Sequence, residues 1–229
     1  RELVGPPARR AMTAAARRVL VTGADGFLGR GVLAALAPRL GHGQLEGLVA
    51  LDVREVPRER RLPGVAYLAQ DVREAGIGKA FADHAIDTVV HLASIVTPGR
   101  DSNREFEHSV DVGGTRNVLK ACTMYRVAHI VVSSSGAAYG YHADNPAWID
   151  ERQPLRGNAV FAYADHKRQV EELLADWRAR HPSLAQTVLR IGTILGERVD
   201  NQITALFEKR RLIAIRAVSY THLTLPTKA

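Results

Sequence analysis

The chain has 229 residues, of which 46% are hydrophobic and 24% charged, so it is long and apolar enough for one sizeable globular core. Its formal net charge of +7 is concentrated near the N-terminus, and no basic stripe with interleaved aromatic residues follows, which argues against a nucleic-acid partner. No uninterrupted apolar run reaches membrane-spanning length, so we expect no membrane partner. The single cysteine, Cys122, cannot form an internal disulfide and fits a reducing, cytoplasmic compartment.

Residues 1–17 contain Gly5-Pro6-Pro7 and lack apolar periodicity, so we expect a disordered leader. Two origins stay open for it. One is an arginine-rich organelle transit peptide, and the other is translation of sequence upstream of a true start at Met12.

The first predicted strand, Val19–Val21, is followed by a glycine-rich turn and by a helix that begins near Phe27. Gly23 suits the sharp turn, Gly26 would let a pyrophosphate approach the backbone, and Gly29 would let the helix lie close to the strand. The free N–H groups and the positive dipole end of the helix N-terminus favour phosphate. Together these features predict a nucleotide-binding site.

Carboxylates follow the next two predicted strands. The strand Gly47–Asp52 ends about 20 residues past the last glycine, where Asp52 can bind the ribose hydroxyls of a dinucleotide. Because this carboxylate would repel a 2′-phosphate, we expect NAD to be preferred over NADP, although Arg54 would partly offset the repulsion. The strand Gly64–Ala69 leads to Asp71, for which two roles stay open, an adenine contact and a helix N-cap.

Apolar strands alternate with helices along the rest of the chain, which predicts a parallel sheet covered on both faces. The further predicted strands are Thr88–Leu92, Ile130–Val132 and Gln186–Arg190, and the long helices are Arg104–Tyr125 and Phe161–Arg180. Right-handed crossovers then give the strand order 3-2-1-4-5-6. The predicted fold class is therefore α/β, a Rossmann-type doubly wound parallel sheet over residues 18–199.

Hydroxyl groups and a Tyr–Lys pair are expected at the carboxyl edge of this sheet. The fifth strand continues into Ser133-Ser134-Ser135, and Tyr163 and Lys167 are one turn apart on one face of the next helix. An unperturbed phenol has a pKa of about 10, and a nearby ammonium lowers that pKa by stabilising the phenolate. The spacing therefore predicts that Tyr163 transfers protons. No spacing of histidines suggests a shared metal, and we expect none.

Five segments carry a resemblance to a known family. They are Thr22–Gly29, His91–Ser94, Ser133–Gly140, Tyr163–Lys167 and Leu189–Arg190. The sequence resembles the extended short-chain dehydrogenase/reductases, and within them the NAD-dependent epimerase/dehydratase family with its UDP-glucose 4-epimerase-like members. The resemblance implies NAD as cofactor and a sugar or nucleotide sugar as the small-molecule substrate, and a homodimer is compatible with it.

The resemblance also implies roles for individual residues. Tyr163 would be the acid/base, Lys167 would bind the nicotinamide ribose and tune the tyrosine, and Ser135 would hydrogen-bond the reacting hydroxyl. The residues implied in cofactor binding are Gly23, Gly26, Phe27, Leu28, Gly29, Asp52, Asp71, Val72, Leu92, Ala93, Ser133, Tyr163 and Lys167.

One position departs from the family pattern. Asp111 precedes Val112-Gly113-Gly114-Thr115, where the family usually carries Asn. An ionised carboxylate accepts hydrogen bonds but cannot donate them. The family's role for the amide therefore does not transfer to Asp111.

Three functions stay open on the sequence. The leading one is an NAD-dependent epimerase or dehydratase of a sugar, in which Tyr163 removes a hydroxyl proton while hydride passes to the nicotinamide. The second is a dehydrogenase or reductase of a non-sugar alcohol or ketone, and the third is a regulatory protein that binds the cofactor without chemistry. Ser135, Tyr163 and Lys167 favour a catalytic function.

Proteins of this family continue beyond the sixth strand into a smaller domain that closes over the substrate. We therefore expect residues 200–217 to begin that substrate domain and most of the domain to be missing. Residues 218–229 lack helical and strand periodicity and resemble the translation of a transposase-type sequencing adapter. This resemblance predicts an artificial tail and a poorly active chain.

Overall fold

The computed structural model describes residues 17–96, 103–195 and 199. The expectations for residues 1–16 and 200–229 lie outside the described residues. The described chain forms one six-stranded parallel sheet in the order β3-β2-β1-β4-β5-β6, which confirms the predicted topology. The strands are β1 (Arg17–Thr22), β2 (Leu45–Asp52), β3 (Ala66–Ala69), β4 (Thr88–His91), β5 (His129–Ser135) and β6 (Ala185–Ile191).

Two hydrophobic layers cover the sheet, one on each face. Successive residues of β1 point to opposite faces, so Leu20 packs in one layer while Val19 and Val21 pack in the other. The helices are α1 (Phe27–Leu36), α2 (Gly78–Asp83), α3 (Arg104–His108), α4 (Thr115–Met124) and α5 (Ala162–Arg180). None of these described helices combines the length and the apolar character needed to cross a membrane.

The predicted long helix over Arg104–Tyr125 is interrupted. A π-helical turn, Ser109–Gly114, separates α3 from α4. At Gly114 this turn packs directly on the segment after β3, because an added Cβ would lie 2.6 Å from Val72 Cγ2. Short π-helical turns inside helices are frequent at functional sites, and this one carries the buried Asp111.

The topology brings the chain's polar segments to one edge of the sheet. Chain order reverses between β1 and β4, since β2 and β3 lie on one side of β1 while β5 and β6 lie beyond β4. In open α/β sheets, ligands bind outside the carboxyl ends of the strands at such a switch point. The segments after β1, β2, β4 and β5 all reach this edge.

Candidate active site

Two glycines, one in the turn after β1 and one in the first turn of α1, leave no space for a side chain. Gly23 has φ +66°, and a Cβ there would lie 2.7 Å from Ala93 N. A Cβ on Gly29 would lie 2.2 Å from Gly23 O, so only glycine lets α1 pack this close to the turn. Gly26 is the N-cap of α1 and has no side chain to occupy the first free N–H groups. The turn therefore fits a dinucleotide whose pyrophosphate lies on the N-terminus of α1.

Asp52 ends β2 beside this turn and is only 7% exposed. Its Oδ2 accepts a hydrogen bond from Asp25 N at 2.9 Å, and its Oδ1 accepts one from Arg54 N at 3.2 Å. These bonds fix the carboxylate, and each oxygen keeps a lone pair for a further donor.

The same end of the site holds an ion pair that the sequence analysis missed. Asp25 lies inside the glycine turn and is buried, and Arg60 donates two hydrogen bonds to its carboxylate, at 2.9 and 3.2 Å. Arg30 and Arg54 reach within 3.8 and 4.0 Å of the same carboxylate. A carboxylate buried in such a turn needs a counter-charge, and the arginine-rich run after β2 was the available signal in the sequence.

Asp71 caps the turn after β3 and not a helix, because the N-cap of the next short helix, Ala75–Ile77, is Glu74. It accepts hydrogen bonds from Arg73 N at 2.8 Å and from the Arg73 guanidinium, whose bonds hold the pKa of Asp71 below its ordinary value. The Val72 side chain is buried in the core, so only its backbone can face a nucleotide. An adenine contact by either residue stays a prediction.

A buried hydrogen-bond chain fixes the carboxyl end of β4. Leu92 N and Ala93 N donate to Thr22 Oγ1 at 3.2 and 3.3 Å, and this hydroxyl lies 2.7 Å from His91 Nδ1. His91 Nε2 is 3.0 Å from Thr115 Oγ1. Burial, helped by the Lys167 charge, lowers the pKa of His91 to about 4. His91 is therefore a neutral packing residue.

Ser135, Tyr163 and Lys167 come together at the ends of β5 and α5. Ser135 Oγ accepts from Ala137 N at 3.1 Å, and the Ser135 hydroxyl is near enough to the Tyr163 phenol to lower its pKa. Lys167 is 4% exposed, and its Nζ donates to the carbonyl of Ser133 at 3.1 Å. That Nζ lies 5.6 Å from the centroid of the Tyr163 ring. Ser133 thus contributes its backbone to the site.

The expectation that Lys167 lowers the pKa of Tyr163 was wrong for this state of the protein. Burial raises the pKa of Tyr163 above its ordinary value, the Ser135 hydrogen bond opposes that rise, and the Asp111 charge adds to it. Burial also lowers the pKa of Lys167, against the Asp111 and Glu171 charges. The phenol is consequently protonated at neutral pH.

The environment of Asp111 was not predicted from the sequence. This side chain is buried, and its Oδ1 accepts from Ile95 N at 3.0 Å. Its Oδ2 lies 3.6 Å from Nδ1 of His166, which is 1% exposed and directly precedes Lys167. No sequence motif pairs these residues, because they lie far apart along the chain.

A second buried network ties β6 to α5. Arg190 donates to both carboxylate oxygens of Glu171, at 2.8 to 3.0 Å, and to Tyr139 Oη at 2.6 Å. Ser134 Oγ also donates to Glu171. The network holds the strand that ends in Ser135. Within the described ranges, no group of three or more His, Cys, Asp or Glu side chains could hold a metal ion.

Known proteins share this sequence pattern. Among curated proteins, the chain is 30% identical over 193 residues to UDP-glucose 4-epimerase of Azospirillum brasilense, covering 80% of this chain and 51% of that protein. It is 30% identical over 196 residues to the N-acetyl-alpha-D-glucosaminyl-diphospho-ditrans,octacis-undecaprenol 4-epimerase of Escherichia coli O157:H7, covering 83% and 53%. The chain therefore spans about half the length of the curated relatives it matches.

A solved structure has the same fold. The UDP-glucose 4-epimerase of Thermus thermophilus, crystallised with NAD, matches with a TM-score of 0.67 at 30% identity, covering 80% of this chain and 57% of the other. Residues 19–218 match the NAD dependent epimerase/dehydratase family as a whole. With most of its length matched in this way, the chain belongs to the NAD dependent epimerase/dehydratase family.

Proposed function

We propose that this protein binds NAD and uses it to epimerise or dehydrate a nucleotide-linked sugar. The observation that carries the proposal is the convergence of Ser135, Tyr163 and Lys167 at the sheet edge that also carries the glycine turn. Relatives and structural neighbours named as UDP-glucose 4-epimerases support the substrate class.

The described residues fit NAD at both of its ends. The backbone around Gly23 and Gly29 is too close for any side chain there. The approach to the N-terminus of α1 is therefore free of side chains at these positions, which suits a pyrophosphate. Asp52 would accept from the ribose hydroxyls at the adenosine end, and Lys167 would donate to the nicotinamide ribose. When bound, NAD supplies a hydride acceptor next to the substrate carbon.

Tyr163 would move the substrate proton. To act as a base, the Tyr163 phenol would first have to lose its own proton. The resulting phenolate would then take the O–H proton of a substrate hydroxyl, while bound NAD would accept the C–H hydride as the hydroxyl becomes a carbonyl. Ser135 would hold the reacting oxygen, and the Lys167 ammonium would stabilise the phenolate form of Tyr163 that takes the proton. An epimerase would return the hydride to the opposite face of the same carbon and the proton to the same oxygen, so the reaction would need no net change in cofactor.

The test combines cofactor binding with product analysis. NAD is titrated by calorimetry, and the protein is then incubated with UDP-glucose and NAD while nucleotide sugars are separated by chromatography. We expect NAD binding and an isomeric or keto sugar without net formation of NADH. In a parallel incubation, non-sugar alcohols replace UDP-glucose, and stoichiometric NADH formed only there would instead establish a dehydrogenase. Absence of NAD binding would overturn the proposal.

A further inference from the structure

We propose that Asp111 and His166 act as one buried carboxylate–imidazole pair that balances charge around Lys167 and Tyr163. His166 is thereby assigned as a positioning residue, and Asp111 acts with it in place of a neutral amide. The inference deepens the proposed function and rests on it for the role of Tyr163. The existence of the pair can be tested without any catalytic assay.

The first observation is a set of unsatisfied polar atoms in contact. Asp111 Oδ2 and both ring nitrogens of His166 are buried and have no hydrogen-bond partner. A buried polar atom left unpaired has lost its hydrogen bonds to water without replacing them, so such atoms are uncommon in cores. Here Oδ2 and Nδ1 face each other at 3.6 Å, a few tenths of an ångström beyond hydrogen-bond distance. A small closure would satisfy both atoms at once.

The second observation is the charge balance at Lys167. Two carboxylates, Asp111 and Glu171, act electrostatically on its ammonium. Glu171 already receives the bidentate guanidinium of Arg190, whereas in the described ranges the only basic side chain within 4.0 Å of the Asp111 carboxylate is His166. Asp111 is therefore the carboxylate that is left to balance the buried ammonium.

Asp111 is held in its charged form despite its burial. Burial alone would raise its pKa, but His166, Lys167 and the Ile95 amide bring the pKa below the ordinary value. The π-helical turn places the side chain between these groups, while the Thr115 hydroxyl donates to the Asp111 carbonyl at 2.5 Å.

The surroundings of the pair contain further titratable groups. His108 of α3 packs edge-on against His166 with ring centroids 5.4 Å apart, and its Nε2 lies 3.1 Å from Gln169 Oε1. Asp165 lies on α5, next to His166, and forms ion pairs with Arg104 and Arg168. The titratable groups that interact with the pair are His108 from α3, His91 from β4, and Tyr163 and Lys167 from α5.

The pair predicts that substitutions of its two members shift the phenolate titration of Tyr163 in opposite directions. The Asp111 carboxylate opposes formation of the Tyr163 phenolate. An Nδ1–H of His166 that donates to this carboxylate would lessen that opposition. Asp111→Asn should therefore move the phenolate titration of Tyr163 to lower pH, and His166→Gln should move it to higher pH. The double variant should lie between the two and depart from additivity, because the residues share one interaction. A purely structural role would shift both single variants in the same direction.

Two measurements test the proposal. Nitrogen-15 NMR of the histidine side chains should show an exchange-protected Nδ1–H on His166, absent in His166→Gln and displaced in Asp111→Asn. Ultraviolet difference titration, with Tyr163→Phe subtracted, reports the phenolate in each variant. His129→Gln serves as the matched control, since His129 bonds Thr187 Oγ1 at the far end of β5 and should leave the titration unchanged.

The outcomes separate this proposal from the proposed function. Absence of a protected Nδ1–H in the wild-type protein, or equal shifts of the phenolate titration in both single variants, would overturn the pair. Calorimetric titration of NAD runs in parallel. Opposite shifts of the phenolate titration without NAD binding would support the pair and overturn the proposed function. NAD binding without any such shift would overturn the pair and leave the proposed function standing.

Discussion

Two glycines on the same helix should respond in opposite ways to alanine. Gly29→Ala places a methyl group 2.2 Å from Gly23 O and 2.7 Å from Ala24 Cα, both backbone atoms that cannot rotate away. Overpacking of this kind costs about 1–3 kcal/mol. For a chain of this size, that loss corresponds to a melting temperature lower by about 2–12 °C. Because the turn must move, NAD affinity should fall as well.

Gly31→Ala is the matched control. Gly31 is two residues further along α1, and nothing lies within 4 Å of its added Cβ. The methyl group there should stabilise the helix by about 0.5–1 kcal/mol, with NAD affinity unchanged. Urea denaturation measures the stability of both variants, and calorimetry measures NAD binding. If Gly29→Ala were as stable and bound NAD as tightly as Gly31→Ala, the assigned reason for the glycine would be wrong.

Three further predictions concern the chemistry. Tyr163→Phe should keep NAD affinity and lower turnover by about 10²–10⁴-fold, measured under steady-state conditions, and near-full turnover would remove Tyr163 from its role. Lys167→Met should weaken both NAD binding and turnover, because it removes the ammonium that donates to Ser133 O beside the phenol; calorimetry with unchanged NAD affinity would contradict this. NAD should bind more tightly than NADP, since the Asp52 carboxylate repels a 2′-phosphate, and equal affinities in parallel titrations would refute that assignment.

The sheet and its strand order were predictable from the sequence because the signals are local. Continuous apolar strands, right-handed connections and the glycine turn each depend on neighbouring residues, and together they determine the topology. The short helix α2 was not predicted, and the π-helical turn depends on the packing of Gly114 against Val72, which no periodicity encodes.

The site was predictable only in part, because burial and contacts between distant residues leave no local signal in the sequence. Spacing placed Tyr163 and Lys167 on one helical face, but it could not report how deeply both are buried, and burial decides the direction of their pKa shifts. The pairs Asp25–Arg60 and Asp111–His166 join residues far apart in sequence. Such contacts become visible only after the chain has folded.

The Asp25–Arg60 pair allows a sharper test of the nucleotide end. Arg60→Met removes two hydrogen bonds from a buried carboxylate, although Arg30 and Arg54 stand close enough to screen part of the lost charge. Because Arg60 is itself partly exposed, we expect a loss of about 1–2 kcal/mol in stability. The freed negative charge of Asp25 should also repel the pyrophosphate and weaken NAD binding, less so at high salt.

Charge and structure can be separated with two companion variants. Arg58→Met removes an exposed arginine from the same short segment, Arg58–Arg60, and should leave both stability and NAD affinity unchanged. Asp25→Asn combined with Arg60→Met removes the carboxylate's charge together with its partner, so it should recover most of the NAD affinity. The salt dependence measured by calorimetry is decisive, because electrostatic repulsion in the turn predicts that wild type and Arg60→Met converge as ionic strength rises. A constant difference at all salt concentrations, with no recovery in the double variant, would mean that Arg60 supports the turn by packing alone.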